Sequence, residues 1–164
     1  MYGTPPVAGR EPRTPGSTEA SLRALEPSHL EPCIALDERC LGGLWSSRQW
    51  ATELAEPQRP GLGIWLEEQL VAMACGWLIL EELHITLVAV DPGQRQRGLG
   101  RRVLEALLAE GRSRGAERAT LEVASGNQAA IRLYSRTGFQ EAGCRRGYYR
   151  NGDDALIQWR KLSD

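Results

Sequence analysis

The 164-residue chain contains two histidines, His29 and His84, and four cysteines, none of them in a C-x-x-C pair. Neither metal-ligand spacing nor a disulfide framework is present. Cys33, Cys40, Cys75 and Cys144 therefore read as reduced structural thiols, and no metal is expected. No apolar run reaches the roughly 18 residues that a membrane-spanning helix needs, and the first residues lack the apolar stretch of a secretory signal. These absences exclude membrane and secreted classes and predict a cytoplasmic protein. Internal repeats and heptads are also missing.

What is present is the composition of one soluble domain, 41% apolar and 25% charged. Pro5, Pro6, Pro12 and Pro15 beside Gly3, Gly9 and Gly16 make residues 1–17 a disordered tail, leaving 18–164 as the folded domain. The net charge of −1 conceals an asymmetry, with a balance of −7 over residues 19–90 and +5 over 91–164. A basic half suits a phosphate-bearing cofactor, and an acidic half suits a cationic substrate.

Ser21–Leu25 alternates like a strand, and Pro27–Leu41 has helical spacing and stops at Gly42-Gly43. Ser46 can cap a second helix that runs to about Ala55 and ends before Pro57 and Pro60. From Gly61 the period changes, and three apolar strands follow, the last over Leu83–Val90, separated by Glu67-Glu68 and Glu81-Glu82. A helix from Gly98 to about Arg114 buries Leu99, Val103, Leu104, Leu107 and Leu108. A strand over Arg118–Val123, a helix over Asn127–Arg136 and strands near Phe139–Gly147 and Ala155–Arg160 complete the order β-α-α-β-β-β-α-β-α-β-β.

The strand Val88-Ala89-Val90 runs into the loop Asp91-Pro92-Gly93-Gln94-Arg95-Gln96-Arg97-Gly98-Leu99-Gly100-Arg101, which opens a helix. Glycines let backbone approach a ligand closely, and the unpaired N–H groups of a first helical turn face an anion, so this junction can cradle a pyrophosphate. Arg95, Arg97, Arg101 and Arg102 add charge. The loop has neither the lysine-hydroxyl ending of a P-loop nor the third glycine and strand-end acid of a dinucleotide turn.

The pattern Arg95-x-x-Gly98-x-Gly100 at a strand-to-helix junction resembles the GNAT superfamily of acyl-coenzyme A transferases. Leu121-Glu122-Val123, Asn127-x-x-Ala130-Ile131-x-Leu133-Tyr134-x-x-x-Gly138-Phe139 and Arg145-Arg146-Gly147-Tyr148-Tyr149 extend the likeness over Ser21–Leu162, toward its ribosomal-protein-alanine N-acetyltransferases. The resemblance implies an α/β fold, a mixed central sheet flanked by helices, with acetyl-CoA as cosubstrate and no metal. Its implied acceptor is the N-terminal segment of a ribosomal protein, with no membrane or nucleic-acid partner. Another amine, such as a lysine side chain or a polyamine, and a noncatalytic acyl-CoA-binding module are the alternatives.

By its frame, Glu122 is a solvent-facing alternate strand residue or a catalyst; the resemblance makes it the general base. Tyr134 is a packed aromatic by its spacing, and the general acid by resemblance. The same likeness assigns cofactor contacts to Gln96, Leu99 and Asn127 and to the backbone of Val88, Ala89 and Val90, where splayed strands leave amides unpaired. It assigns acceptor contacts to Trp45, Tyr148 and Tyr149. One departure is Gly43-Leu44 before Trp45, where such enzymes often have Phe-Pro. His84, several residues before Val88, is expected to be a structural or surface histidine.

Overall fold

The switch from helical to alternating hydrophobic period at Gly61 marks where the helical hairpin ends and the central sheet begins. A computed structural model describes residues 19–163; the expected tail over 1–17 lies outside them. Along the chain run β1 (Ser21–Ala24), a 3-10 turn (Pro27–His29), α1 (Leu30–Leu41), α2 (Ser47–Ala55), β2 (Gly61–Leu66), β3 (Gln69–Ile79) and β4 (Glu82–Val90). A second short turn precedes α3 (Leu99–Ser113), followed by β5 (Arg118–Ala124), α4 (Gln128–Arg136), β6 (Gln140–Arg145) and β7 (Ala155–Lys161). The expected α/β order and mixed sheet are therefore borne out.

The seven strands lie in the order β1-β2-β3-β4-β5-β7-β6. All neighbours are antiparallel except β4 and β5, which the α3 crossover makes parallel. One face of the sheet packs on Val103, Leu104, Leu107 and Leu108 of α3 and on Tyr134 of α4. The other packs on Cys33 and Leu36 of α1 and Trp50 of α2.

The α1–α2 hairpin is organised by Asp37, whose carboxylate is 1% exposed. It accepts from the Leu44 amide at 2.8 Å, the Trp45 amide at 3.1 Å and the Trp50 indole N–H at 2.8 Å. Charged acceptors are buried at tolerable cost only when saturated with donors, and here three N–H groups supply that. Ser46 caps α2 by accepting from the Gln49 amide, while Gln49 returns a bond to the Ser46 amide.

Pairing of β4 with β5 stops after Glu82, Leu83 and His84 meet Arg118, Ala119 and Thr120. Beyond that the two strands separate. Opposite, Cys75 pairs with Leu87 and Gly76 with Ile85, so Thr86 is the extra residue of a bulge in β4. The bulge reverses the alternation: Leu83 and Ile85 point to the α3 face, whereas Leu87 and Ala89 point to the α1 face.

Replacing Asp37 by alanine should strip the acceptor from three donors, one of them the buried Trp50 indole, and lower stability by about 3 kcal/mol or more. Urea titration checks this; a change below about 0.5 kcal/mol, the range of a neutral surface substitution, would remove Asp37 from its organising role.

Candidate active site

The loop between β4 and α3 takes its shape from two left-handed residues, Gln96 at φ 66° and Gly98 at φ 76°. A Cβ on Gly98 would meet nothing within 4 Å, so conformation rather than space favours glycine there. Gly98 is also the N-cap of α3 and provides no side-chain bond, which leaves the first-turn amides from Leu99 onward open to an anion. Gly100 differs: a Cβ would lie 3.4 Å from Val90 Cγ2 and 3.5 Å from Leu133 Cδ2, so it seats the helix start between β4 and α4.

Of the loop side chains, Gln96, Arg97 and Arg101 are exposed, while Leu99 is buried in the core and offers only its backbone. Arg95 folds back, its Nε donating to the Val90 carbonyl at 3.2 Å, and Arg102 reaches the Ala20 carbonyl at 3.5 Å. The side-chain charge at the cradle is thus narrower than the four arginines suggest. Open amides with exposed Arg97 and Arg101 still fit a pyrophosphate.

At the parted end of β4, the Asp91 amide donates to the Val71 carbonyl at 2.7 Å. Antiparallel alternation then commits Ala89 to β3 and turns the N–H groups of Val88 and Val90 toward the gap. The Val90 carbonyl, bonded by Arg95 and the Cys40 thiol, is turned the same way. Of the three strand residues predicted to carry open amides, Ala89 is therefore corrected to a β3-paired one.

Glu122 lies on β5 beyond the parting, in the wall of a cleft of about 700 Å³. The cleft is also lined by Leu44, Trp45 and Glu53 from the helical hairpin, His84 and Thr86 from β4, and Tyr148 and Tyr149 from the β6–β7 turn. One carboxylate oxygen of Glu122 lies 3.3 Å from Arg145 Nε, in a pair whose Arg145 side chain is 58% exposed. A pair this solvated is weak, so a substrate cation can displace the guanidinium. Arg145 also lies 5.6 Å above the Tyr148 ring, which meets Tyr149 edge-on at 5.2 Å. Trp45 packs edge-on against Trp50 at 4.7 Å, and Leu44 stands exposed at the rim.

Tyr134 is buried on the opposite face of the sheet, its ring edge-on to Phe139 at 5.8 Å. Burial pushes its phenol up to about 12, and Tyr149 adds to the shift, so the hydroxyl keeps its proton at neutral pH. Burial also raises the Tyr149 phenol, with smaller contributions from Glu122 and Tyr148. Tyr149 thus couples electrostatically to Glu122 on one face and Tyr134 on the other, across the parted strands. Asn127 is the N-cap of α4: its side-chain oxygen accepts from the Ala130 amide at 3.1 Å, leaving its amide nitrogen for a ligand.

Three features of the cleft escape sequence reasoning. Glu53 is 5% exposed, pairs through one oxygen with Arg59 at 3.2 Å, and its other oxygen has no partner among the described residues. Burial raises its carboxyl pKa, against the pull of Arg59. Arg145 on Glu122 is a contact across the sheet that no local spacing announces. His84, expected as structural or surface, lines the same cleft as Glu122. Among the described residues no group of three or more potential ligands could hold a metal.

Residues 25–139 match the family described as Acetyltransferase (GNAT) family. The [ribosomal protein bS18]-alanine N-acetyltransferase of Escherichia coli K12 is 34% identical over 84% of this chain and 94% of its own length. The N-alpha-acetyltransferase RimI of Mycobacterium tuberculosis is 32% identical over 92% of this chain and 98% of its own. The crystal structure of the E. coli ribosomal-protein-S18-alanine N-acetyltransferase superposes with a TM-score of 0.81 at 32% identity, covering 88% of this chain and 95% of that one. A cradle that suits a pyrophosphate and a sheet parted beside it are thus matched by likeness in sequence and in fold over most of the chain, which belongs to the GNAT family of acetyl-CoA-dependent acetyltransferases.

Proposed function

We propose that this chain acetylates the N-terminal α-amine of a protein, with the N-terminal alanine of ribosomal protein bS18 as acceptor. Residues 18–164 form the catalytic domain, working in the cytoplasm without nucleic acid. The observation that carries this reading is the joining of Glu122 to a cleft of about 700 Å³ that opens at the parting of β4 and β5. Relatives named for bS18-alanine acetylation favour that acceptor over lysine side chains or polyamines.

In this reading the amides at the start of α3, with Arg97 and Arg101, hold the pyrophosphate of acetyl-CoA, and Asn127 contacts the cofactor. The N–H groups of Val88 and Val90 face the thioester, and one of them stabilises the developing oxyanion. Trp45, Tyr148 and Tyr149 grip the acceptor peptide. Glu122 draws the proton from the α-ammonium once Arg145 yields to it, and Tyr134 gives its phenol proton to the departing thiolate.

Incubation with acetyl-CoA and a panel of N-terminal peptides, lysine peptides and polyamines, followed by mass spectrometry, tests the acceptor. An acetyl group on the α-amine of the alanine-initiated peptide is expected; turnover of free amines alone would overturn it. Glu122→Gln should retain the fold and lower kcat by about 10²–10⁴-fold, with partial recovery as pH rises and the amine loses its own proton. A parent rate at neutral pH would remove Glu122 from the chemistry.

Tyr134→Phe should lower kcat with little change in melting temperature or cofactor affinity. The same variant locates the phenol: ultraviolet difference titration should show it ionising at about 12. Because the folded-state pKa is raised, the associated stability is intact below the unfolded value of about 10 and is lost as pH rises toward 12. A phenol titrating near 10 would contradict its burial.

A further inference from the structure

His84 is the last residue of β4 paired with β5 before the strands part, directly beside Thr120. Its Nδ1 lies 3.2 Å from the Thr120 hydroxyl, and that hydroxyl lies 2.8 Å from a Glu82 carboxylate oxygen. Glu82 is in turn paired with Arg118 at 3.2 Å. A hydroxyl has one proton, and the carboxylate can only accept it, so Thr120 accepts from His84. The proton of the neutral imidazole is therefore on Nδ1. Nε2 carries the lone pair and has no hydrogen-bond partner among the described residues.

The ring's bonded edge faces Thr120, which does not line the cleft, whereas His84 does, as does Glu122. Glu122 stands two residues beyond Thr120 on the same face of β5, which places its backbone roughly 8 Å from that of His84 by strand spacing. We infer that His84 Nε2 is a second proton acceptor for the acceptor amine, oriented by the Glu82–Thr120 pair. The inference rests on acetyl transfer taking place in this cleft.

The stoichiometry of the reaction calls for such a group. As the ammonium becomes an amide, the N–C bond forms, the C–S bond breaks with its electron pair on sulfur, and two protons leave nitrogen. One goes to Glu122 and one to His84. One of these replaces the proton Tyr134 gave to the thiolate, and the other passes to water. The charged or titratable groups around His84 are Glu82, Arg118 and Glu122 in the sheet, Arg48, Glu53 and Arg59 from the α2 side, and Tyr148 and Tyr149 from the β6–β7 turn.

Steady-state kinetics against pH, with melting temperatures, test this in the full chain. His84→Gln should lower kcat by about 10–100-fold, at the lower end for a general base because Glu122 remains, with acceptor KM nearly unchanged. The deficit should shrink above about pH 8, where an α-amine is already deprotonated. Added imidazole should restore part of the rate to His84→Ala but none to Glu122→Gln. Thr120→Val should lower kcat, and Thr120→Ser should recover it.

A His84→Gln variant with parent kcat, or a loss that imidazole leaves untouched and that tracks melting temperature, would overturn the inference while acetyl transfer stands. A parent protein that acetylates no amine would overturn both.

Discussion

The early end of pairing between β4 and β5 is the constraint on which the rest depends. Parallel strands joined through a helix ordinarily pair along their length, because unpaired buried amides are costly. Here the ladder runs for three residue pairs and then opens. The opening leaves the Val88 and Val90 amides facing the gap, with α4 packed on one face of the sheet and the cleft on the other. The antiparallel β3 on one side and β7 on the other hold the two strands where they are, so the gap is built into the sheet.

The two faces contribute different chemistry. On the α3 side, an uncapped helix start and left-handed Gly98 leave open amides that fit an anion, and Tyr134 keeps its phenol proton because it is buried. On the α1 side, the Asp37-centred hairpin carries Trp45, Leu44 and Glu53 to the cleft. The Glu122–Arg145 pair is solvated and weak, and Glu53 pairs through only one of its oxygens, so both carboxylates on this side can respond to an added cation. The bulge at Thr86 joins the two halves by reversing which β4 side chains face which layer.

Elements with a strong local period were legible from the residues alone. The α3 stripe, the Ser46 cap, the Gly42-Gly43 stop and the glycine loop each encode their conformation within a few positions, and all appear where the chain pattern puts them. Glu122, Tyr134 and the loop residues were picked out by motif, and their spatial relation was not. Sequence places Tyr134 twelve positions after Glu122, and no spacing reveals that they sit on opposite faces of one sheet with Tyr149 near both.

The sequence by itself determined the element order, the cradle and the family, because helical period, capping and glycine φ are properties of neighbouring residues. Tertiary structure alone decided that Ala89 pairs inward, that Arg95 and Arg102 bend away from the loop, that Arg145 holds Glu122 and that His84 faces the cleft. The reason is that strand alternation predicts a side chain's face only while register is unbroken. A single extra residue at Thr86 and a ladder that ends at His84 arise from pairing with β3 and β5, and that pairing has no local signature.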